Sequence, residues 1–118
     1  MKKALLAVLT VFTLALTAQA ESTDKIVLAA DAAQHYVCEN GKTATAQYFN
    51  ATDDSGVSIV KLTLDTETYY LPTVRSASGA RYSDLHQIEW WTKNDEASLD
   101  YDINSDDKTT ETSCKVKP

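Results

Sequence analysis

The sequence predicts an all-β fold: a small antiparallel β-barrel with one disulfide linking its N-terminal and C-terminal strands. Three observations carry this. Turn signals recur at short spacing, at Glu39-Asn40-Gly41, Asp53-Asp54-Ser55-Gly56, Asp65-Thr66, Asn94-Asp95 and 104–108, and the runs between them are rich in Thr, Val, Ile and Tyr. Several of those runs alternate in polarity. The chain's two cysteines, Cys38 and Cys114, stand near opposite ends of the β-rich region. Short strands in so small a chain must protect their edges, and closing the sheet does this.

The elements follow in order. Residues 1–20 have the form of a secretory signal: Lys2 and Lys3, an apolar run from Ala4 to Leu16, then Ala18-Gln19-Ala20 as a small-x-small cleavage site. The run is shorter than the roughly 20 residues that span a bilayer. Residues 21–118 are then one domain, opening with a tail at 21–24. Residues 25–33 suit either a strand or a short helix. Asn40-Gly41 is a hairpin turn. Thr43 to Tyr48 alternates, with Ala44, Ala46 and Tyr48 inward. In 57–64 the phase slips at Ile59-Val60, which predicts a bulge or burial on both faces. Residues 97–103 alternate, with Ala97, Leu99, Tyr101 and Ile103 inward. Adjacent strand residues face opposite ways, so one tryptophan of Trp90-Trp91 belongs to the core and the other to the surface, and at most one of Tyr69-Tyr70 is exposed.

An exported chain with an even cysteine count reads as disulfide-bonded, which ties Cys38 to Cys114. Charge narrows the partners. The chain carries −6, and because residues 1–20 hold two lysines and no acid, the remainder carries −8. Such a surface disfavours nucleic acid and anionic membranes, and it favours a cationic partner.

No enzyme motif emerges. His35 and His86 stand alone, there is no HExxH, and GxSxG is absent. Asp100, Asp102, Asn104 and Glu111 match positions of a calcium loop, but Ser105 replaces the glycine that its sharp turn needs. The reading is therefore no metal and no cofactor. Asn50-Ala51-Thr52 fits a glycosylation acceptor and is read as a loop. What remains distinctive is Ser76-Ala77-Ser78-Gly79, small, polar and mobile, followed by Tyr82 and Trp91 as amphipathic anchors and by Lys93 at a turn.

These segments resemble the bacterial inhibitors of C-type lysozyme, membrane-bound and periplasmic members alike. The resemblance lies in Tyr36-Val37-Cys38-Glu39-Asn40-Gly41, Tyr70-Leu71-Pro72, Ser76-Ala77-Ser78-Gly79-Ala80-Arg81-Tyr82, Trp90-Trp91-Thr92-Lys93 and Glu96-Ala97-Ser98-Leu99, in that order, over 36–99. It implies a non-enzymatic β-barrel that inserts two loops into the cleft of a C-type lysozyme, a cationic protein, and so protects peptidoglycan. Carried over residue by residue, the binding set is Ser76, Ser78 and Gly79, supported by Tyr82, and Trp91, Thr92 and Lys93 on the second loop. The family often has glycine after the lysine; here it is Asn94, which also tolerates a left-handed turn. No cysteine occurs in 18–24, so the expectation is a periplasmic or secreted protein without a lipid anchor. The alternative is a periplasmic β-domain that binds another protein or a glycan through the same loops.

Overall fold

The computed structural model describes residues 25–118, so the expected signal segment lies outside the described residues. Within them the chain forms β1 (Leu28–Ala30), β2 (Gln34–Cys38), β3 (Thr43–Ala51), β4 (Ser58–Leu64), β5 (Glu67–Val74), β6 (Ala80–Ser83), β7 (Glu89–Lys93), β8 (Glu96–Asp100) and β9 (Glu111–Val116). All pairings are antiparallel. The order runs β3-β2-β9-β8-β7-β6-β5-β4, and β4 pairs back onto β3, closing an eight-stranded barrel. β1 resolves the ambiguous segment as strand. It lies on the same edge of β3 as β2, further along: Ala30 faces Phe49 and Gln34 faces Ala46. Four steps along β1–β2 thus match three along β3, which makes a bulge at 31–33.

An eight-stranded barrel leaves just enough interior for side chains. Each strand of the ring contributes from alternate positions: Tyr36 and Cys38, Ala44 and Ala46, Val60 and Leu62, Leu71, Tyr82, Trp90, Ala97 and Leu99, and Cys114 are all buried. The three alanines make room for Trp90, which is fully buried. Its ring meets Tyr36 edge-on at 4.9 Å, and its Nε1–H donates to the Tyr48 hydroxyl at 3.0 Å. The phenol groups of Tyr36 and Tyr48 lie 3.3 Å apart, and Tyr36 donates on to Gln34 at 2.9 Å. Burial pushes the Tyr48 phenol well above its ordinary value. Among the described residues no buried side-chain polar atom lacks a partner, so the interior polar groups incur no net desolvation loss.

The disulfide forms as expected. Cys38 and Cys114 face each other across β2 and β9, both buried, with Cα atoms 3.9 Å apart. The inward assignments at 43–48 and at Ala97 and Leu99 are also correct. One expectation is narrowed and one changes. The register of β4 is unbroken against both neighbours, so there is no bulge at Ile59-Val60. The phase slip is burial on both faces: Val60 points inward, and Ile59 is half-buried on the outer wall, paired with Phe49. And β8 stops at Asp100, not at Ile103. The Asp100 carboxylate accepts from the Asp102 amide at 2.9 Å and from the Thr110 hydroxyl at 2.9 Å, so a local turn competes with the ladder.

Topology then sorts the loops. Connections 39–42, 65–66, 84–88 and 101–110 gather at one mouth of the barrel. Connections 52–57, 75–79 and 94–95 gather at the other, together with the end of β9.

Candidate functional site

The second mouth carries the serine loop and the lysine turn. Register explains why they are neighbours. Ala80 on β6 pairs with Thr92 on β7, so residues 75–79 and 94–95 leave the barrel from adjacent strands at the same level. Adjacent strands lie roughly 4.7–4.9 Å apart. Ser78, Trp91, Lys93 and Ser98 line one open groove there.

The serine loop, expected to be free, is tied to the barrel wall by hydrogen bonds. Side chains pin it at three places. Arg81 Nη1 donates to the Arg75 carbonyl at 3.2 Å, at the loop's entry. Trp91 Nε1 donates to the Ser78 carbonyl at 2.7 Å, at its tip. The Ser76 hydroxyl donates to the Gly79 carbonyl at 3.0 Å, across it. Arg81 is itself fixed: it pairs with Glu89 and lies 5.7 Å from the centre of the Trp91 ring. Small residues in sequence signal freedom, but here long-range side-chain bonds to the backbone restrain the loop.

Gly79 adds a steric condition. It sits at φ +69, a left-handed backbone, and a Cβ there would come 2.2 Å from the Thr92 carbonyl oxygen. Only glycine lets the loop lie against β7 this closely. The seven expected site residues therefore divide. Ser76 and Gly79 shape the loop, Ser78 is its exposed tip, and Trp91 holds that tip. Thr92 is half-buried, its hydroxyl directed to the Ala80 carbonyl at 3.4 Å, and its own carbonyl receives the glycine. Tyr82 is corrected from anchor to interior residue. It is 4% exposed and its hydroxyl lies 3.3 Å from Ser58 Oγ, because strand alternation sends 80 and 82 into the barrel. Burial raises its phenol pKa.

Lys93 is exposed and, among the described residues, makes no ion pair. Asn94 takes φ +56, so the left-handed turn survives without glycine. Nearby, Glu96 pairs with Lys115 at 3.8 Å, and the backbone carbonyl of Asp95 accepts from the Val116 amide at 3.0 Å. That last bond fastens the turn to the end of β9. Arg81, which braces the loop through Arg75, Glu89 and Trp91, was not singled out in the sequence; its only signal was its place in the matching motif.

Elsewhere, the Asp100 carboxylate accepts turn hydrogen bonds, Asp102 joins that turn through its backbone, and among the described residues no group of three His, Cys, Asp or Glu side chains is placed to hold a metal ion.

The architecture is that of a small closed β-barrel presenting two polar tips at one mouth. The comparisons place it more closely. Residues 36–108 match the family described as membrane-bound lysozyme-inhibitor of c-type lysozyme, and the chain belongs to that family. Being a family of inhibitors, it points to a protein without catalysis of its own. Proteins named membrane-bound lysozyme inhibitor of C-type lysozyme are similar to it in Pseudomonas aeruginosa (40% identity over 70% of this chain and 62% of that protein), Cupriavidus necator (35% over 81% and 74%) and Yersinia enterocolitica (38% over 58% and 52%). The chain thus spans less than two thirds of two of these relatives. Their names correct one expectation. A protein without a lipid anchor was inferred from the missing cysteine at 18–24, yet the family and all three relatives are named membrane-bound. A missing cysteine speaks to a single chemistry of attachment and could not carry that inference. Among the described residues no helix is long and apolar enough to cross a membrane.

Proposed function

We propose that this chain inhibits C-type lysozyme by placing the Ser78 loop and the Lys93 turn in the enzyme's active-site cleft. The observation that carries this is the shared groove bordered by Ser78 and Lys93, on a barrel whose relatives are named for C-type lysozyme. Lysozyme works with one protonated and one ionised carboxyl group. The Lys93 ammonium, unpaired among the described residues, suits the ionised one, and the Ser78 hydroxyl can donate to either or accept from the protonated one. Both tips are held before binding, so little conformational entropy is lost on association. The net charge of −6 attracts a cationic enzyme from a distance.

The test is clearing of a peptidoglycan suspension by a C-type lysozyme with increasing amounts of the chain, beside a Ser78→Ala/Lys93→Ala variant. Wild type stops clearing near equimolar ratio and the variant does not. Lys93→Ala alone weakens inhibition by about 2–5 kcal/mol, the usual cost of stranding a buried charge partner. Equal inhibition by wild type and the double variant would remove these tips from the site.

A further inference from the structure

The mouth opposite the two tips holds an open cavity of about 260 Å³. Its floor is Leu99, which is fully buried, and its walls include Tyr69 and Tyr101. Lys42, Glu67 and Gln87 stand at its rim. The aromatic rings are fixed in place. The Tyr69 hydroxyl donates to Glu67, the Tyr101 hydroxyl donates to the Thr109 carbonyl at 3.0 Å, and the Lys42 ammonium lies 5.6 Å from the centre of the Tyr101 ring.

We propose that this mouth binds the end of a neutral oligosaccharide. A pyranose ring has an apolar C–H face and an equatorial belt of hydroxyls. The cavity offers aromatic and aliphatic surface within, and a carboxylate, an amide and an ammonium at its edge, which can donate to and accept from vicinal hydroxyls. A purely apolar ligand would strand those rim groups. An anionic ligand would meet Glu67 and the neighbouring Asp65 against a single Lys42, on a chain that is acidic overall. The volume falls just under the roughly 300–1,000 Å³ of pockets for drug-sized molecules, so one sugar ring enters and the next lies across the mouth. The site shares no residue with the two tips and stands or falls independently of the inhibitor reading.

Isotope-labelled domain is titrated with chitotetraose, a neutral β-linked tetramer, to about 10 mM, and amide signals are followed by NMR; weak sites have Kd values near 1 mM, about −4 kcal/mol. Saturable shifts are expected at 64–69, 87 and 99–101, with none at 76–79 or 93–96. Gln87→Ala, an exposed change that leaves the core intact, and Tyr101→Ala each weaken binding about tenfold, while near-ultraviolet dichroism of buried Trp90 reports an unchanged fold. Tetragalacturonate, which is anionic, binds at least tenfold more weakly. The proposal is overturned by the absence of saturable shifts, by shifts confined to the tips, by a folded Gln87→Ala variant that binds like wild type, or by equal binding of the anionic tetramer.

Discussion

Gly79→Ala tests how the serine loop is seated. The native φ of +69 costs an L-residue about 1–2 kcal/mol. The new methyl would also lie 2.2 Å from the Thr92 carbonyl oxygen, well inside contact distance, and that oxygen belongs to β7, which is paired on both sides. The loop must therefore lift away. Lifting it breaks the bond from Trp91 Nε1 to the Ser78 carbonyl, worth about 1 kcal/mol. The total is about 2–3 kcal/mol. Gly41 provides a control. It too has positive φ, +84, but a Cβ there meets nothing within 4 Å, so Gly41→Ala carries the backbone strain alone, about 1–2 kcal/mol. Urea unfolding separates the two: with a slope of about 1–3 kcal/mol per molar, the Gly79→Ala midpoint falls roughly 0.3–1 M below that of Gly41→Ala. In the lysozyme-clearing assay Gly79→Ala loses about tenfold in potency through a displaced tip, and Gly41→Ala, at the far mouth, loses none. Equal midpoints and equal potency for the two variants would refute the claim that the loop rests on β7.

The remaining predictions concern stability and rate. Replacing both Cys38 and Cys114 by Ala releases a closed loop of sequence separation 76, a loss of about 4 kcal/mol in the chain-entropy model, and lowers the thermal midpoint by roughly 15–30 °C. Asp84 gives a pH signature. Desolvation raises its pKa, but amides of Gln87, His86 and Ile88 donating at 2.8, 2.9 and 3.0 Å outweigh this and hold it below 3.8. A depressed folded value means that the carboxylate stabilises the fold above that ordinary value and ceases to do so as pH falls through the folded value. Denaturant melts should therefore show wild type more stable than Asp84→Asn near neutrality, by less than about 1 kcal/mol because the group is largely exposed, with the gap closing below pH 3.8. Raising salt from low to physiological strength should slow association with lysozyme, measured by stopped flow, while dissociation changes little; a salt-independent on-rate would contradict steering by the acidic surface.

Much of this was legible in the sequence because it follows from local period and chemistry. Alternation placed Ala44, Ala46, Ala97 and Leu99 inside and split Trp90 from Trp91. Asn40-Gly41 marked its hairpin, and the two cysteines marked the staple. Most of the misreadings share a cause: they depended on a partner distant in sequence. Nothing near Ser78 says that an indole thirteen residues on will bond its carbonyl, so the loop read as mobile. Tyr82 looked like an interface anchor until β5 and β7 flanked it and fixed which face of β6 points inward. Ile103 kept the alternation, but the Asp100 carboxylate ended the strand first. Arg81 was visible as a letter and not as a clamp, since its three contacts, Arg75, Glu89 and Trp91, meet only once the barrel is wound.

The central claim, that the two tips meet lysozyme, is tested most directly by NMR of the isotope-labelled chain with one equivalent of unlabelled C-type lysozyme. Broadening or large shifts of amides at 76–79 and 93–96 are expected, with 64–69 and 84–87 at the far mouth unchanged. Perturbation of the far mouth or of the outer wall around Tyr70, with the tips unchanged, would contradict it.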